Sequence, residues 1–157
     1  MTKSSAWFTH VAWLLIAITG VVYAWMRYLC EPDDPMALAN HPLEPETLAL
    51  HVISAPLFVF ALGLLWRSHI LVKIRSSRPD RKVTGYSLLV LAIVCTVSGY
   101  LLQVSTSELL RTVWTWSHAV TGLALVVVYL LHQFAPHTAL RNRRESAASG
   151  IEPPARS

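Results

Sequence analysis

The sequence predicts an all-α fold: an integral-membrane four-helix bundle with both termini on the cytoplasmic side. Three observations carry this. Hydrophobic residues make up 54% of the 157-residue chain and charged residues only 14%, well under the charge of an ordinary soluble domain. Mean hydropathy is +0.45. The charges are also bunched, and no Asp, Glu, Lys or Arg occurs in residues 4–26, 47–66, 83–107 or 112–140. Each window reaches the roughly 20 residues a helix needs to cross about 30 Å of hydrocarbon.

The four spans fall near residues 6–29, 47–72, 83–104 and 112–134. All four are long, continuous apolar runs without the period-two alternation of a barrel strand. The first resembles a secretory signal in its apolar character, but its run is too long and no small-x-small cleavage site precedes the acidic loop, so it reads as a retained anchor. Gly20, Gly63, Gly85, Gly99 and Gly122 lie within or at the ends of the spans, where small residues let helices or a flat ligand approach closely. Trp7, Trp25, Tyr28, Trp66, Tyr100, Trp114 and Trp116 lie near span ends, as amphipathic rings at a membrane interface do. Residues 1–140 thus form one transmembrane domain. Residues 141–157, polar and rich in Ser, Ala and Pro, read as a disordered cytoplasmic tail.

The connections set the orientation. Residues 30–46 carry Glu31, Asp33, Asp34, Glu44 and Glu46 and no Lys or Arg. Residues 67–82 carry Arg67, Lys73, Arg75, Arg78, Arg81 and Lys82 against Asp80 alone, and the tail adds Arg141, Arg143 and Arg144. Positive loops stay in the cytoplasm, so the acidic loop faces outward, and the expected location is a bacterial inner membrane. The net charge of +4 reports this topology. The basic residues flank spans with no interleaved aromatics, which argues against a nucleic-acid partner. Cys30 and Cys95 differ too much in depth for a disulfide, and neither belongs to a CxxC or CxxCH pattern. That excludes covalently attached haem and a redox dithiol.

Seven histidines carry the functional information through their depth. His118 and His132 lie 14 residues apart in the fourth span, hence about 40° apart around the helix and about 21 Å apart along it. They share a face in opposite leaflets, too far apart for one ion. His51, near the outer end of the second span, matches His118. His10, in the first span, matches His132 and is preferred as the inner partner over His69, which lies at the cytoplasmic edge beyond Arg67. His41 and His137 read as surface residues. Two histidine pairs, one per leaflet, suit haem iron, which takes axial ligands from both faces. Arg67 on the inner side and Arg27 or Arg111 on the outer side are candidates for haem propionates. Each is also explained, and more simply, by snorkelling at the membrane edge. A packing role accounts for one intramembrane histidine more readily than for four. Zinc calls for four tetrahedral ligands together, and a proton relay for Asp or Glu at membrane depth.

WFTHVAWLLIAITGVVYAW in the first span, LALHVISAPLFVFALGLLWR in the second and WSHAVTGLALVVVYLLH in the fourth resemble bacterial di-haem cytochrome b membrane subunits. These include the cytochrome b-561 group and the cytochrome b subunits of nickel hydrogenases and formate dehydrogenases. The resemblance spans roughly residues 6–134, although the chain is shorter than many members. It implies two b-type haems with bis-histidine ligation, His10 with His132 inside and His51 with His118 outside. His69 stands as the alternative inner ligand or as a quinone contact. It also implies electron exchange between the quinone pool and a partner oxidoreductase, for which the acidic outer loop is a candidate docking surface. The alternatives are a stand-alone cytochrome that couples a diffusible small molecule to quinone, and a haem-free membrane anchor.

Overall fold

The computed structural model describes residues 3–32, 34, 36–75 and 82–134. Four helices account for nearly all of them, and there is no strand among the described residues. Helix α1 spans Lys3–Leu29. Helix α2 begins as Glu44–Leu65, passes through a π-helical turn at Trp66–Ile70 and ends in a last α turn at Leu71–Arg75. Helix α3 spans Lys82–Val104 and α4 spans Glu108–Phe134. Each is long and apolar enough to cross a membrane. Each also encloses one of the expected spans and extends up to four residues beyond it. The basic residues Arg78, Arg81, Arg141, Arg143 and Arg144, with Asp80, His137 and the 141–157 tail, lie outside the described residues.

The helix ends follow local chemistry. Pro45 sits in the first turn of α2, where a missing N–H costs nothing, and Glu44 and Glu46 place negative charge against the positive end of the helix dipole. Pro56 lies inside α2 and removes one N–H from its ladder. Hydroxyl side chains along the spans donate back to carbonyls of their own helix: Thr9 to Ser5 at 2.8 Å, Ser54 to Leu50 at 2.6 Å, and Thr121 to Ser117 at 2.6 Å. In hydrocarbon no water is present to satisfy them, so this internal pairing is what makes Ser and Thr tolerable there.

The four helices form two antiparallel hairpins. Helix α1 packs along α2, α3 packs along α4, and the hairpins meet along α1 and α4. The core takes one side chain from each helix, Trp13, Phe58, Ala92 and Leu125. Around it the outward faces are apolar: Val11, Leu14 and Ile18 on α1, Ile53 and Phe60 on α2, Val90, Ile93 and Val97 on α3, and Val120, Leu123 and Val127 on α4. That is the inverse of a water-soluble bundle and the expected face toward lipid tails. At the end that carries the acidic 30–46 connection, the outer end in the expected orientation, Arg27 of α1 pairs with buried Glu44 of α2 at 3.3 Å. The other oxygen of Glu44 accepts the Asn40 backbone N–H at 2.9 Å, while the Asn40 amide donates to the Arg27 carbonyl at 2.8 Å. Both cysteines are free thiols.

Candidate functional site

In the outer half of the bundle, His51 of α2 and His118 of α4 face one another across the two hairpins. Their ring centres lie 6.0 Å apart, with the planes inclined at 72°. A metal–imidazole nitrogen bond is about 2 Å, so two imidazoles on opposite sides of one ion put their ring centres about 6 Å apart. The pair therefore has the spacing of axial ligands to a shared iron.

The ring nitrogens are also sorted. His118 Nδ1–H donates to the Cys95 carbonyl at 2.9 Å, with the Cys95 thiol 3.7 Å from the same nitrogen. The Thr19 hydroxyl donates to the Leu15 carbonyl at 2.8 Å, so its oxygen is left to accept His51 Nδ1–H at 3.1 Å. At His118 the carbonyl can only accept, which puts the proton on Nδ1 and the lone pair on Nε2, the form that binds a metal, and Thr19 presents the same arrangement to His51.

Close approach of the neighbouring helices makes room for the rings. A Cβ added at Gly20 would stand 2.9 Å from Cε1 of His51, and one at Gly99 would stand 3.0 Å from Cε1 of His118. Real Cβ atoms scarcely ever come so near, so both rings lie against α1 and α3 only because those positions are glycine.

The inner half is arranged differently. His10, exposed on α1, hydrogen-bonds through Nδ1 to the Tyr129 hydroxyl. Tyr129 in turn stacks on Trp13, ring centres 3.7 Å apart and planes 14° apart. His132, half-buried on α4, pairs through Nδ1 with the Thr84 hydroxyl at 2.8 Å, and a Cβ added at Gly85 of α3 would stand 3.8 Å from its Cε1. The structure thus brings His51 to His118, but brings His10 to Tyr129 and His132 to Thr84. Register explains this. With Gly20 level with His51 and Gly99 level with His118, His10 lies about 15 Å inward and His132 about 21 Å. Tyr129, one turn earlier on α4, lies at about the depth of His10.

His69 sits half-buried within the π-helical turn of α2, and Arg67 is exposed beside it. Of the outer arginines, Arg27 is engaged by Glu44. Arg111 lines an outer cleft with Tyr28 and Trp116, whose rings stack at 5.9 Å. No cluster of three or more His, Cys, Asp or Glu side chains suited to a metal occurs among the described residues, so the arrangement is one of pairs and a tetrahedral zinc site is not formed by them. Sequence reasoning missed Thr19, Thr84, Tyr129 and the Cys95 carbonyl. The first two were visible as the residue preceding a glycine. The others depend on how α1 and α3 sit against their neighbours. No family model, curated protein or solved structure is similar to this chain.

Proposed function

We propose that this protein is a di-haem b electron-transfer subunit of a bacterial inner membrane, passing electrons between the quinone pool and a partner oxidoreductase or electron carrier. The observation that carries the reading is the facing pair His51 and His118, with ring centres 6.0 Å apart and Nδ1 of each ring hydrogen-bonded. These two residues would hold the outer haem. His132 would hold the inner one, with His10 or His69 as its partner. A haem held on both faces by histidine supplies one-electron transfer and has no coordination position left for substrate.

The chain's own residues supply orientation and insulation. Thr19 and the Cys95 carbonyl hold the two outer imidazoles in the metal-binding tautomer. Trp13, Phe58, Ala92 and Leu125 keep water out between the leaflets. Arg67 and Arg111 would meet the haem carboxylates at the two surfaces. With the basic 67–82 connection inside, both termini face the cytoplasm. The acidic outer loop then faces the partner.

The test is a reduced-minus-oxidised spectrum of the purified chain with pyridine haemochrome quantitation. The expected result is two b-type haems per chain. His118→Ala should lose mainly the outer haem and His132→Ala the inner one, leaving about one haem in each. Of His10→Ala and His69→Ala, the variant that abolishes the inner signal identifies the second inner ligand. A chain that shows no Soret band even when haem is supplied would be a membrane anchor, and the electron-transfer reading would fail.

A further inference from the structure

The rings of three histidines rest on a recurring two-residue device of the neighbouring helix. His51 lies on Thr19–Gly20 of α1, His118 on Ser98–Gly99 of α3 and His132 on Thr84–Gly85 of α3. At Gly20 and Gly99 the glycine removes a Cβ that would crowd the ring, at 2.9 and 3.0 Å, whereas a Cβ at Gly85 would meet His132 at an ordinary 3.8 Å. At two of the three the preceding hydroxyl bonds the ring at Nδ1, 3.1 Å for Thr19 and 2.8 Å for Thr84. At the third, the Cys95 carbonyl one turn earlier takes that role at 2.9 Å, and Ser98 donates to the same carbonyl at 3.0 Å. A fourth pair, Thr121–Gly122 of α4, receives no histidine; a Cβ added at Gly122 would meet the Cys95 thiol at 3.7 Å. His10 has a different partner, Tyr129.

We infer that the Thr–Gly pairs are sockets for metal-binding imidazoles, and that Thr19 and Thr84 are positioning residues for His51 and His132. This rests on the di-haem reading above and extends it from the ligands to the residues that select their tautomer. The geometry follows from helix chemistry. A residue one position before the glycine stands about 100° round the helix, so its side chain reaches the edge of a ring that lies over the glycine. Thr19 Oγ1 also lies 2.8 Å from the Leu15 carbonyl, the acceptor of its proton in the inferred arrangement, so toward His51 it only accepts. An acceptor at Nδ1 leaves the lone pair on Nε2 and makes the imidazole a stronger donor to metal. Helix α1 therefore acts on the outer imidazole His51 through a hydroxyl, and α3 acts on His132 through a hydroxyl and on His118 through the Cys95 carbonyl, although neither helix contributes a ligand to the outer site.

The experiment uses the full-length chain loaded with haem, in Thr19→Val, Thr19→Ser, Thr84→Val and Thr84→Ser forms. Ser87→Ala is the control; its hydroxyl bonds only the Val83 carbonyl of its own helix. The readouts are haem per chain, midpoint potential of each haem, and the low-spin resonance of each ferric haem. His118→Ala and His132→Ala assign the outer and inner signals. Thr19→Val is expected to raise the outer potential and move the outer resonance, with the inner haem as in the wild type. Thr84→Val does the converse. Serine at either position restores wild-type values.

Valine variants indistinguishable from wild type would overturn the inference, and so would serine variants displaced as far as valine ones, since the methyl group and not the hydroxyl would then be responsible. If the valine variants do not accumulate, the ring-nitrogen NMR spectrum of haem-free wild-type chain decides. Protonated Nδ1 at His51 and His132 is expected, and protonated Nε2 overturns the inference. A wild-type chain that takes up no haem removes the di-haem reading. The same spectrum then still tells whether Thr19 and Thr84 fix these tautomers.

Discussion

At the scale of single residues, close approach is the feature that most constrains change. Alanine at Gly20 would place its methyl 2.9 Å from His51, and at Gly99 3.0 Å from His118. Neither histidine is a flexible end that swings aside, because each ring is tied at Nδ1. Overpacking a site of this kind costs about 1–3 kcal/mol. Gly63 of α2 is the opposite case, since nothing lies within 4 Å of its added Cβ. There alanine gains about 0.5–1 kcal/mol from helix propensity. Thermal unfolding in detergent should rank the variants Gly63→Ala, wild type, then Gly20→Ala and Gly99→Ala. The last two should also lose outer-haem absorbance in proportion. Equal stability of all four proteins would show that the rings are not held where the helices meet them.

At the scale of elements, the outer loop is fastened by Glu44 and not by its charge balance as a whole. Its carboxylate holds Arg27 from α1 and the Asn40 backbone from the loop. Glu44 is buried whereas Arg27 is about half exposed, so the ion pair itself is partly screened. The larger loss on Glu44→Ala is an unsatisfied Asn40 N–H at the helix junction, and the expected cost is about 1–3 kcal/mol. Glu44→Gln, which keeps an acceptor, should recover more than half of it; a proteolysis assay on the loop measures both. Elements are also where the sequence was most informative. Four charge-free windows were enough to place α1 to α4, because a bilayer demands length and apolarity and little else. The 14-residue step from His118 to His132 was enough to put both on one face of α4, because helical phase is rigid. The π-helical turn at Trp66–Ile70 was not legible. It adds no distinctive residue, and it alters the helical phase from Trp66 onward, at His69 within it and at every residue beyond it. Nor was the partner of His10, since the sliding register of α1 against α4 is settled by Trp13 stacking on Tyr129, a tertiary contact without a local signal.

At the scale of the molecule, each of the two hairpins packs more extensively within itself than against the other. They are joined by contacts between α1 and α4 and, in the proposed function, by iron shared between α2 and α4. Haem bound to the folded form alone stabilises by mass action, and here that stabilisation acts across the junction between hairpins. The consequence is a particular pattern of non-additivity. Removing either His51 or His118 loses the same shared ligation, so the second removal has little left to cost. His51→Ala and His118→Ala should each lower the melting temperature of the haem-loaded protein by similar amounts. The double variant should fall no further than about 0.5 kcal/mol below the worse single one, which gives a coupling energy nearly as large as either single effect. In haem-free protein the coupling should shrink toward the small value expected of two imidazoles that merely touch. Two losses that add in full with haem present would mean that the rings serve the two hairpins independently, and the facing pair would then be packing and not a bridge.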